Sequence, residues 1–317
     1  MKSLRVGRQA ASVVTLLLFL IVLAVVAPAF FSFANLRDLA LTNIPVLLVA
    51  AGMTLVIVLG QIDISVGSIF AVASVVAGLL TQAGVPIALV IPCTVLAGGL
   101  FGAVNGTLIS YVNAPSIVVT LATMVVWRES LRWITGGAWV EGLPATFQWF
   151  GLGQSVGQAV IVVGSLAVFA ALAWASRHLV AFRSIYATGS DREAANLAGI
   201  PTQQVLFAVF VLMGALSGFA AMLNAVRFSD VPANAGIGLE LKAIAAVVVG
   251  GTPITGGRGS LFGTFVGVCL LGCIGPALTF LGLSAYWEKA IQGAIILLTV
   301  LFDALAARAS KQAVVHA

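Results

Sequence analysis

The sequence predicts an all-α, polytopic membrane protein, and three observations lead to that fold class. Only 8% of the 317 residues are charged, whereas soluble domains carry about 25%. The deficit extends over the whole chain, which excludes a soluble domain with one membrane anchor. The 34 glycines lie scattered among apolar residues, as is typical of membrane helices that pack closely.

Ten apolar stretches are predicted to enter the membrane, because a spanning helix needs about 20 predominantly apolar residues. The first follows Lys2, Arg5 and Arg8 and exceeds the apolar core of a secretory signal, so we interpret it as an uncleaved transmembrane helix. The whole chain, 1–317, is then expected to form one transmembrane domain. The stretches lie at about 11–30, 39–60, 64–83, 86–110, 115–135, 157–176, 204–226, 239–252, 260–278 and 287–305.

The eighth stretch, 239–252, is too short for a full crossing and leads into GGTPITGGRGS, 250–260. The glycines favour the end of a broken or re-entrant helix that is buried in protein rather than facing lipid. A similar order of glycine, short polar stretch and Gly-Ser occurs in LGQIDISVGSIF, 59–70. Interrupted helices in internal repeats often frame the central pathway of a transporter. Chance similarity between glycine-rich loops is the alternative.

The glycine-rich stretch is not a nucleotide-binding loop. Gly251 and Gly256 have the glycine spacing of a P-loop, but Gly257 and Arg258 stand where Lys and Ser or Thr would hold phosphate and magnesium. No G-K-S or G-K-T occurs in the chain, so we expect no cofactor and any ATP to be bound by another subunit. The sequence also offers no metal-ligand cluster, paired catalytic carboxylates or nucleophile with a base, which argues against an enzyme.

The basic residues predict that both termini lie in the cytoplasm. With ten crossings, nine of the 15 Lys and Arg residues fall on the side of the termini, as the positive-inside rule requires. The longest cytoplasmic loop is then about 177–203, and the main periplasmic loop is about 136–156. The nine residues are Lys2, Arg5, Arg8, Arg177, Arg183, Arg192, Arg258, Arg308 and Lys311.

The cytoplasmic loop contains YATGSDREAANLAGIP, 186–201, which predicts a short capped helix. Ser190 and Glu193 have the spacing of a capping box, and Asp191 adds negative charge to the first turn. Gly199 is a typical C-terminal stop. A helix of about two turns is too short to persist alone in water, so we expect it to dock on a partner. The predicted contact residues are Ser190, Asp191, Arg192, Glu193, Ala194, Ala195 and Gly199.

This helix and two other stretches resemble one transporter family. EAANLAGI is similar to the coupling motif of ABC-importer permeases, whose short cytoplasmic helix sits in a cleft of the ATPase subunit. GMTLVIVLGQIDISVGSIFA (52–71) and GLELKAIAAVVVGGTPITGGRGSLFGTFVG (238–267) resemble the signature stretches of the ribose/xylose-type sugar branch. Within that branch, TGGAWVEGLPA (135–145) and YATGSDREAA are most similar to rhamnose and autoinducer-2 permeases. The resemblance extends from about residue 37 to 304.

The resemblance implies the translocation subunit of an ATP-driven importer in the bacterial inner membrane. It implies a monosaccharide substrate, with rhamnose or a related sugar as the first candidate and autoinducer-2 as the alternative. The implied partners are ABC ATPase subunits, a second permease copy or paralogue that completes a dimer, a periplasmic sugar-binding protein and membrane lipid. Nucleic acid is not expected, because the basic residues form no patch with aromatic side chains. A secondary carrier that does not use ATP is the alternative from another class.

Asp63, Ser65 and Asn105 are candidates for the pathway or its gate. Asp63 is an isolated acidic residue between two spans, and an ionisable group at membrane depth is a functional candidate by default. The structural alternative is that Asp63 caps the following helix together with Ser65. Asn105 lies within a span, where its amide requires either a protein partner or a substrate hydroxyl.

The segment MVVWRESLRW adds Arg128 and Arg132 to these candidates. The two arginines share a helix face at i, i+4, and Glu129 can pair with Arg132 at i, i+3. The flanking tryptophans are typical of an interfacial belt, so simple anchoring is one interpretation. The other places both arginines at the outer mouth of the pathway.

Two outer loops are candidates for docking of the binding protein. ITGGAWVEGLPATFQWFGLG carries Trp139 and Glu141, and VRFSDVPANAG carries Arg227 and Asp230. Charged and aromatic side chains of this kind suit contact with a soluble partner, although solvated turns explain both loops as well.

Overall fold

The computed structural model describes residues 2–284, 286–295, 297–298 and 301. These residues form helices joined by turns, without a strand among them, and this confirms the all-α class. The helices are α1 Lys2–Val26, α2 Phe33–Val58, α3 Val66–Gln82, α4 Ile87–Ser110, α5 Ser116–Thr135, α6 Gln154–His178, α7 Val180–Ser190, α8 Arg192–Leu197, α9 Thr202–Ala225, α10 Leu239–Val249 and α11 Leu261–Phe280, followed by helical residues 287–295. Short 3-10 turns cover Pro28–Phe31 and Gln148–Gly151.

Five of the described helices, α2, α4, α6, α9 and α11, are long and apolar enough to cross a membrane. The polytopic character that the sequence predicts is therefore confirmed. Helix α3 has 17 residues and α10 has 11, which at 1.5 Å per residue gives lengths of about 25 Å and 16 Å. Because the hydrocarbon layer is about 30 Å thick, both helices are shorter than a full crossing, and we call them the interrupted helices. Helix α10 is the one that the short eighth stretch predicts.

Helix α2 lies at the centre of the molecule. Each residue from 47 to 58 is buried, on all sides of the helix. A helix that is apolar all round is expected to be enclosed by other helices, and α2 contacts α6, α9, α10 and α11. The break that follows α2 is partly enclosed, because Leu59, Asp63 and Ser65 are buried whereas Gly60 is exposed, and its buried backbone groups can find partners in the protein.

Helices α4 and α9 pack backbone against backbone through glycines. A Cβ atom at Gly98 would lie 2.9 Å from Gly218 Cα, and one at Gly102 would lie 3.1 Å from the Gly214 nitrogen. The i, i+4 spacing of these α4 glycines permits the close helix contact. This pair forms a rigid wall beside α3, to which both helices also pack.

The connections gather at two ends of the helical body. At one, called the α8 end, loop 59–65 and loop 250–260 lie against the junction of α7 and α8, where the Gly257 nitrogen donates to Val58 O at 2.8 Å. At the other, called the Val140 end, the loop after α5 meets the loop after α9. There Val140 and Val231 exchange backbone hydrogen bonds of 2.9 and 3.0 Å, and the Trp149 nitrogen donates to Val226 O at 2.7 Å.

Candidate pathway and coupling sites

A chain of hydrogen bonds joins the break after α2 to α4 and α5. Ser65 Oγ donates to Asp63 Oδ1 at 2.6 Å, Asn105 Nδ2 donates to Ser65 Oγ at 2.8 Å, and Thr123 Oγ1 donates to Asn105 Oδ1 at 2.9 Å. Asp63, Ser65 and Asn105 are fully buried. The sequence pairs Asp63 with Ser65 and identifies Asn105 separately, and the structure brings all three together. Buried polar networks with satisfied partners fix a single arrangement of the elements they join.

Local sequence explains why the chain turns at this point. Gly60 has a φ of 71°, a left-handed conformation that glycine adopts without steric cost and that ends α2. Asp63 Oδ1 then accepts the Ser65 backbone N–H at 2.9 Å, which forms an Asx turn ahead of α3. Helix α5 holds the same turn, because Ser116 Oγ accepts the Ile62 N–H at 3.4 Å. Asp63 therefore stabilises the turn itself and does not cap α3, which corrects the predicted cap.

The two oxygens of Asp63 have different surroundings. Oδ1 accepts two hydrogen bonds from Ser65, whereas the buried Oδ2 has no hydrogen-bond partner among the described residues. An unsatisfied buried carboxylate oxygen costs free energy, so its retention calls for an explanation.

The first turns of the interrupted helices α3 and α10 meet around Gly67. A Cβ at Gly67 would collide with the Glu240 carboxylate and would lie 2.5 Å from Gly236 O and 3.4 Å from Arg128 Nη2. Arg128 is 9% exposed and donates through Nη1 to Ala235 O at 2.8 Å. The guanidinium therefore lies where both helices begin and holds the backbone that leads into α10.

Glu240 is a member of this cluster that sequence reasoning missed. Its Oε1 accepts the Gly238 N–H at 3.2 Å, and its buried Oε2 has no hydrogen-bond partner in the part of the chain that the structure describes. The criterion that singles out Asp63, an isolated acidic residue beside an apolar helix, applies equally to Glu240 in GLELKAIAAVVV. An isolated acidic residue beside an apolar helix is thus the sequence signal that identifies Glu240.

Arg132 does not join the cluster. Its Nη1 forms the predicted ion pair with Glu129 Oε1 at 2.8 Å, and both side chains are exposed. Exposed ion pairs contribute little stability, about 0–1 kcal/mol. Among the two arginines of this segment, Arg128 is the one that the fold places beside the candidate pathway.

The short helix α8 has a different cap from the one its sequence predicts. Asp191 Oδ1 accepts the backbone N–H groups of Glu193 and Ala194, both at 3.0 Å, so Asp191 is the N-cap. Ser190 is the last residue of α7, and its Oγ donates to Gly257 O at 3.3 Å. The predicted Ser190–Glu193 capping box is wrong because α7 continues through Ser190. Gly199 has a φ of 83° and ends the segment as predicted.

Helix α8 presents an exposed surface at its end of the molecule. Arg192, Glu193 and Ala194 are exposed, and Leu197 is 86% exposed although it is apolar. Ala195, by contrast, is buried within the chain and does not reach this surface. Beside α8 lies a groove of about 520 Å³ that is also lined by Tyr111 and the first turn of α9. An exposed leucine beside a polar groove suits a protein partner.

Glycines bring the α7–α8 junction into direct contact with the break after α2. A Cβ at Gly189 would collide with Val58 O, and one at Gly256 would lie 2.7 Å from the Gly60 nitrogen. We call this contact, formed by Val58, Gly60, Gly189, Gly256 and Gly257, the glycine junction. The stretches 59–70 and 249–262, which share a sequence pattern, are therefore neighbours in the fold.

At the Val140 end, the four docking candidates have different environments. Trp139 is 54% exposed, and Glu141 is also exposed. Arg227 is half-buried and donates through Nη1 to Leu41 O at 2.9 Å, while Asp230 accepts from Ser229 Oγ at 2.9 Å. Burial lowers the pKa of the Arg227 guanidinium, and the Asp38 carboxylate opposes that shift. Trp139 and Glu141 are thus the freer pair, and Arg227 serves the packing of the loop.

Long apolar helices, two interrupted helices around a buried polar cluster and an exposed helix at one end define a multi-pass membrane permease. The chain belongs to the family described as branched-chain amino acid transport system / permease component, which matches residues 35–300. The predicted resemblance to sugar-type ABC-importer permeases is confirmed. The family and the apolar helices indicate a multi-pass protein of the inner membrane.

Several relatives match most of the chain, with about one third of the aligned residues identical. The autoinducer 2 import system permease protein LsrC of Escherichia coli (strain K12 / DH10B) is 34% identical, over 90% of this chain and 85% of its own length. LsrC of Yersinia pseudotuberculosis serotype O:1b (strain IP 31758) is 32% identical, over 96% and 86%. The ribose import permease protein RbsC of Escherichia coli (strain K12) is 33% identical, over 92% of each chain. No solved structure matches the chain.

Proposed function

We propose that this chain is the passive translocation subunit of an ATP-driven importer and that its helices open alternately to the two sides of the inner membrane. The observation that carries the proposal is the glycine junction. It joins the exposed helix α8 to Val58, the last residue of α2, without an intervening flexible side chain. A displacement of α8 is therefore transmitted to the break after α2 and to the buried network around Asp63.

The partners follow from the two ends of the molecule. An ABC ATPase docks on α8 through Arg192, Glu193, Ala194 and Leu197, and a periplasmic binding protein docks at the Val140 end through Trp139 and Glu141. A second permease copy or a paralogue completes the assembly with two ATPase chains. In this arrangement the loop 177–203 and both termini are cytoplasmic, the loop 136–156 is periplasmic, and 1–317 is one domain.

The substrate is a monosaccharide or a similar small polyol, with rhamnose or a related sugar as the first candidate. Autoinducer-2 is the alternative, and the names of the LsrC relatives favour it. The ribose relative supports the sugar class. A neutral polyol requires amide and hydroxyl groups rather than fixed charges, which agrees with a chain in which 8% of residues are charged.

The cluster around Gly67 is the gate of this pathway. Asp63 and Glu240 each carry one buried carboxylate oxygen without a partner among the described residues, and each belongs to the start of an interrupted helix. Such oxygens acquire partners if α3 and α10 change position relative to Arg128. A second arrangement in which both oxygens are paired would account for their retention, although they cost free energy in the arrangement described above.

ATP-driven uptake in vesicles tests the proposal. The chain is reconstituted with the ATPase and binding protein of its host, and uptake of radiolabelled rhamnose, ribose and autoinducer-2 is measured with and without ATP. We expect uptake of one of them only with ATP, and loss of that uptake in Gly189→Ala while the ATPase still co-purifies. Gly164→Ala is the control, because a Cβ there meets no atom within 4 Å. Uptake that needs no ATP would establish a secondary carrier instead.

A further inference from the structure

A cavity of about 160 Å³ with a mainly apolar wall lies between α2, α10, α11 and helical residues 287–295. It belongs to the half of the molecule near the Val140 end, because Asn35 and Asp38 in the first turns of α2 line it together with Glu288. Lys242 Nζ donates to Glu288 Oε1 at 2.7 Å, and Gln292 Nε2 donates to the same oxygen at 2.9 Å. The cavity thus has a floor of connected polar side chains within an apolar body.

Two glycines of α11 make room for these side chains. A Cβ at Gly272 would collide with the Asn43 amide, and a Cβ at Gly275 would collide with the Glu288 carboxylate. Any other residue at either position would displace a polar group from its place on the wall. The recessed backbone of α11 therefore belongs to the construction of the cavity and is not explained by helix packing alone.

The cavity retains hydrogen-bonding groups that the protein does not use. Asn43 donates through Nδ2 to Leu39 O at 2.9 Å, and its Oδ1 accepts no hydrogen bond from the described residues. Glu288 Oε2 likewise has no hydrogen-bond donor among them, and Lys242 uses one of three donors. Gln292 is 7% exposed, so that its amide is removed from bulk water. A ligand here meets donors and acceptors side by side.

Each charged residue of the wall has an ion-pair partner. Lys242 is paired with Glu288 within the wall, and Asp38, whose side chain is exposed, is paired at 3.3 Å with Arg37 outside the wall. A charged ligand would disturb these pairs, whereas a hydroxyl both donates and accepts and satisfies groups of either kind. The volume of about 160 Å³ suits a small polyol and is below the range of drug-sized ligands, about 300–1,000 Å³.

We propose that this cavity is a binding subsite for the neutral polyol that the importer carries, with Asn43, Lys242, Glu288 and Gln292 as the groups that bind its hydroxyls. The inference rests on the proposed function and adds a place where the substrate is held. Lys242 and Glu240 are two residues apart on α10 and therefore point to opposite faces, one to the cavity and one to the cluster around Gly67. A ligand in the cavity therefore contacts α10, the same interrupted helix that borders the gate.

Protection of an introduced cysteine tests the subsite. In a background with Cys93→Ser, Cys269→Ala and Cys273→Ala that keeps ATP-driven uptake, Asn43→Cys and Thr42→Cys place thiols on the cavity wall. The full importer in nanodiscs, without binding protein, is labelled with a membrane-impermeant methanethiosulfonate. The probe is whichever of rhamnose, ribose and autoinducer-2 the wild-type importer takes up. Ala138→Cys, on the exposed loop after α5, is the control.

We expect the transported compound to slow labelling of Thr42→Cys about tenfold at about ten times its dissociation constant, because only the unoccupied fraction reacts. Protection of Asn43→Cys should need a higher concentration, because that variant removes one of the proposed hydroxyl-binding groups. Labelling at Ala138→Cys should not change. If uptake is ATP-driven but the compound protects neither cavity cysteine, or neither is labelled at all, the subsite is refuted and the proposed function stands. If no compound is taken up with ATP, the proposed function itself fails. Two cavity positions are used so that the test still decides the question if one of the variants does not fold.

Discussion

Asp63 uses its two carboxylate oxygens differently, so its structural and functional roles can be separated by substitution. Asp63→Asn retains an acceptor for the two Ser65 hydrogen bonds, whereas Asp63→Ala removes it and leaves buried donors unpaired. We expect normal yield and thermal unfolding for the asparagine variant and a loss of about 1–3 kcal/mol for the alanine variant. Fluorescence-detected thermal unfolding of the purified permease measures both. Equal losses would show that the charge itself maintains the fold.

Gly67 is the residue at which the starts of α3 and α10 touch. Gly67→Ala introduces a methyl group against the Glu240 carboxylate and Gly236 O, and overpacking of this kind costs about 1–3 kcal/mol. Gly164→Ala, on α6, is the matched control, and there we expect unchanged or slightly higher stability because alanine favours helix. Thermal unfolding of the two variants side by side checks the prediction. Equal behaviour would mean that α3 and α10 do not meet closely at Gly67.

For single helices, sequence patterns predict that a helix exists more reliably than where the helix ends or which elements it contacts. The shortness of 239–252 and its glycines correctly predict the interrupted helix α10, because length and backbone needs are local properties. The cap of α8 was assigned to Ser190 and belongs to Asp191, since the end of α7 depends on contact of Ser190 with Gly257. Such a contact, 67 residues away in sequence, leaves no local signal.

The same distinction explains the buried network. An isolated acidic residue or an amide within a span is visible in the sequence, and Asp63 and Asn105 were found in that way. That Ser65 joins them depends on the packing of α3 against α4, which no spacing along the chain encodes. Thr123 was not singled out, because a threonine in a helix usually bonds to its own backbone, as this one also does to Val119 O at 3.0 Å.

Helix α8 and the Val140 end are expected to bind different partners, and matched charge reversals distinguish them. Glu193→Lys reverses an exposed charge on α8 and should abolish or strongly reduce co-purification of the ATPase, with the permease still folded in the membrane. Glu141→Lys reverses an exposed charge at the other end and should leave the ATPase bound. Pull-down in mild detergent with quantitation of the ATPase measures both. Normal recovery of the ATPase with Glu193→Lys would remove this residue from the interface.

On the scale of the whole molecule, the two ends are joined by the interrupted helices. Helix α3 begins beside Asp63 and Gly67, and further along it Gly78 lies against Val140 and Val231. Helix α10 begins at the cluster around Gly67 and ends at loop 250–260, which contacts the glycine junction. Each end therefore reaches the central cluster through a short helix. Helix α3 packs against the α4–α9 wall, whereas α10 packs mainly against α2 and α11.

The transport direction depends on which end faces the cytoplasm, and thiol labelling determines this for the intact protein. In the cysteine-free background, Ala194→Cys lies on the exposed surface of α8 and Ala138→Cys on the exposed loop at the Val140 end. A membrane-impermeant maleimide should label only Ala138→Cys in spheroplasts and only Ala194→Cys in inverted vesicles, because nine of 15 basic residues fall on the α8 side in a ten-span topology. The reversed pattern would place α8 outside the cell, where no ATPase can reach it, and would overturn the importer. Labelling of both cysteines from the same side would show that the chain crosses the membrane an even number of times between residues 138 and 194, which contradicts the predicted topology.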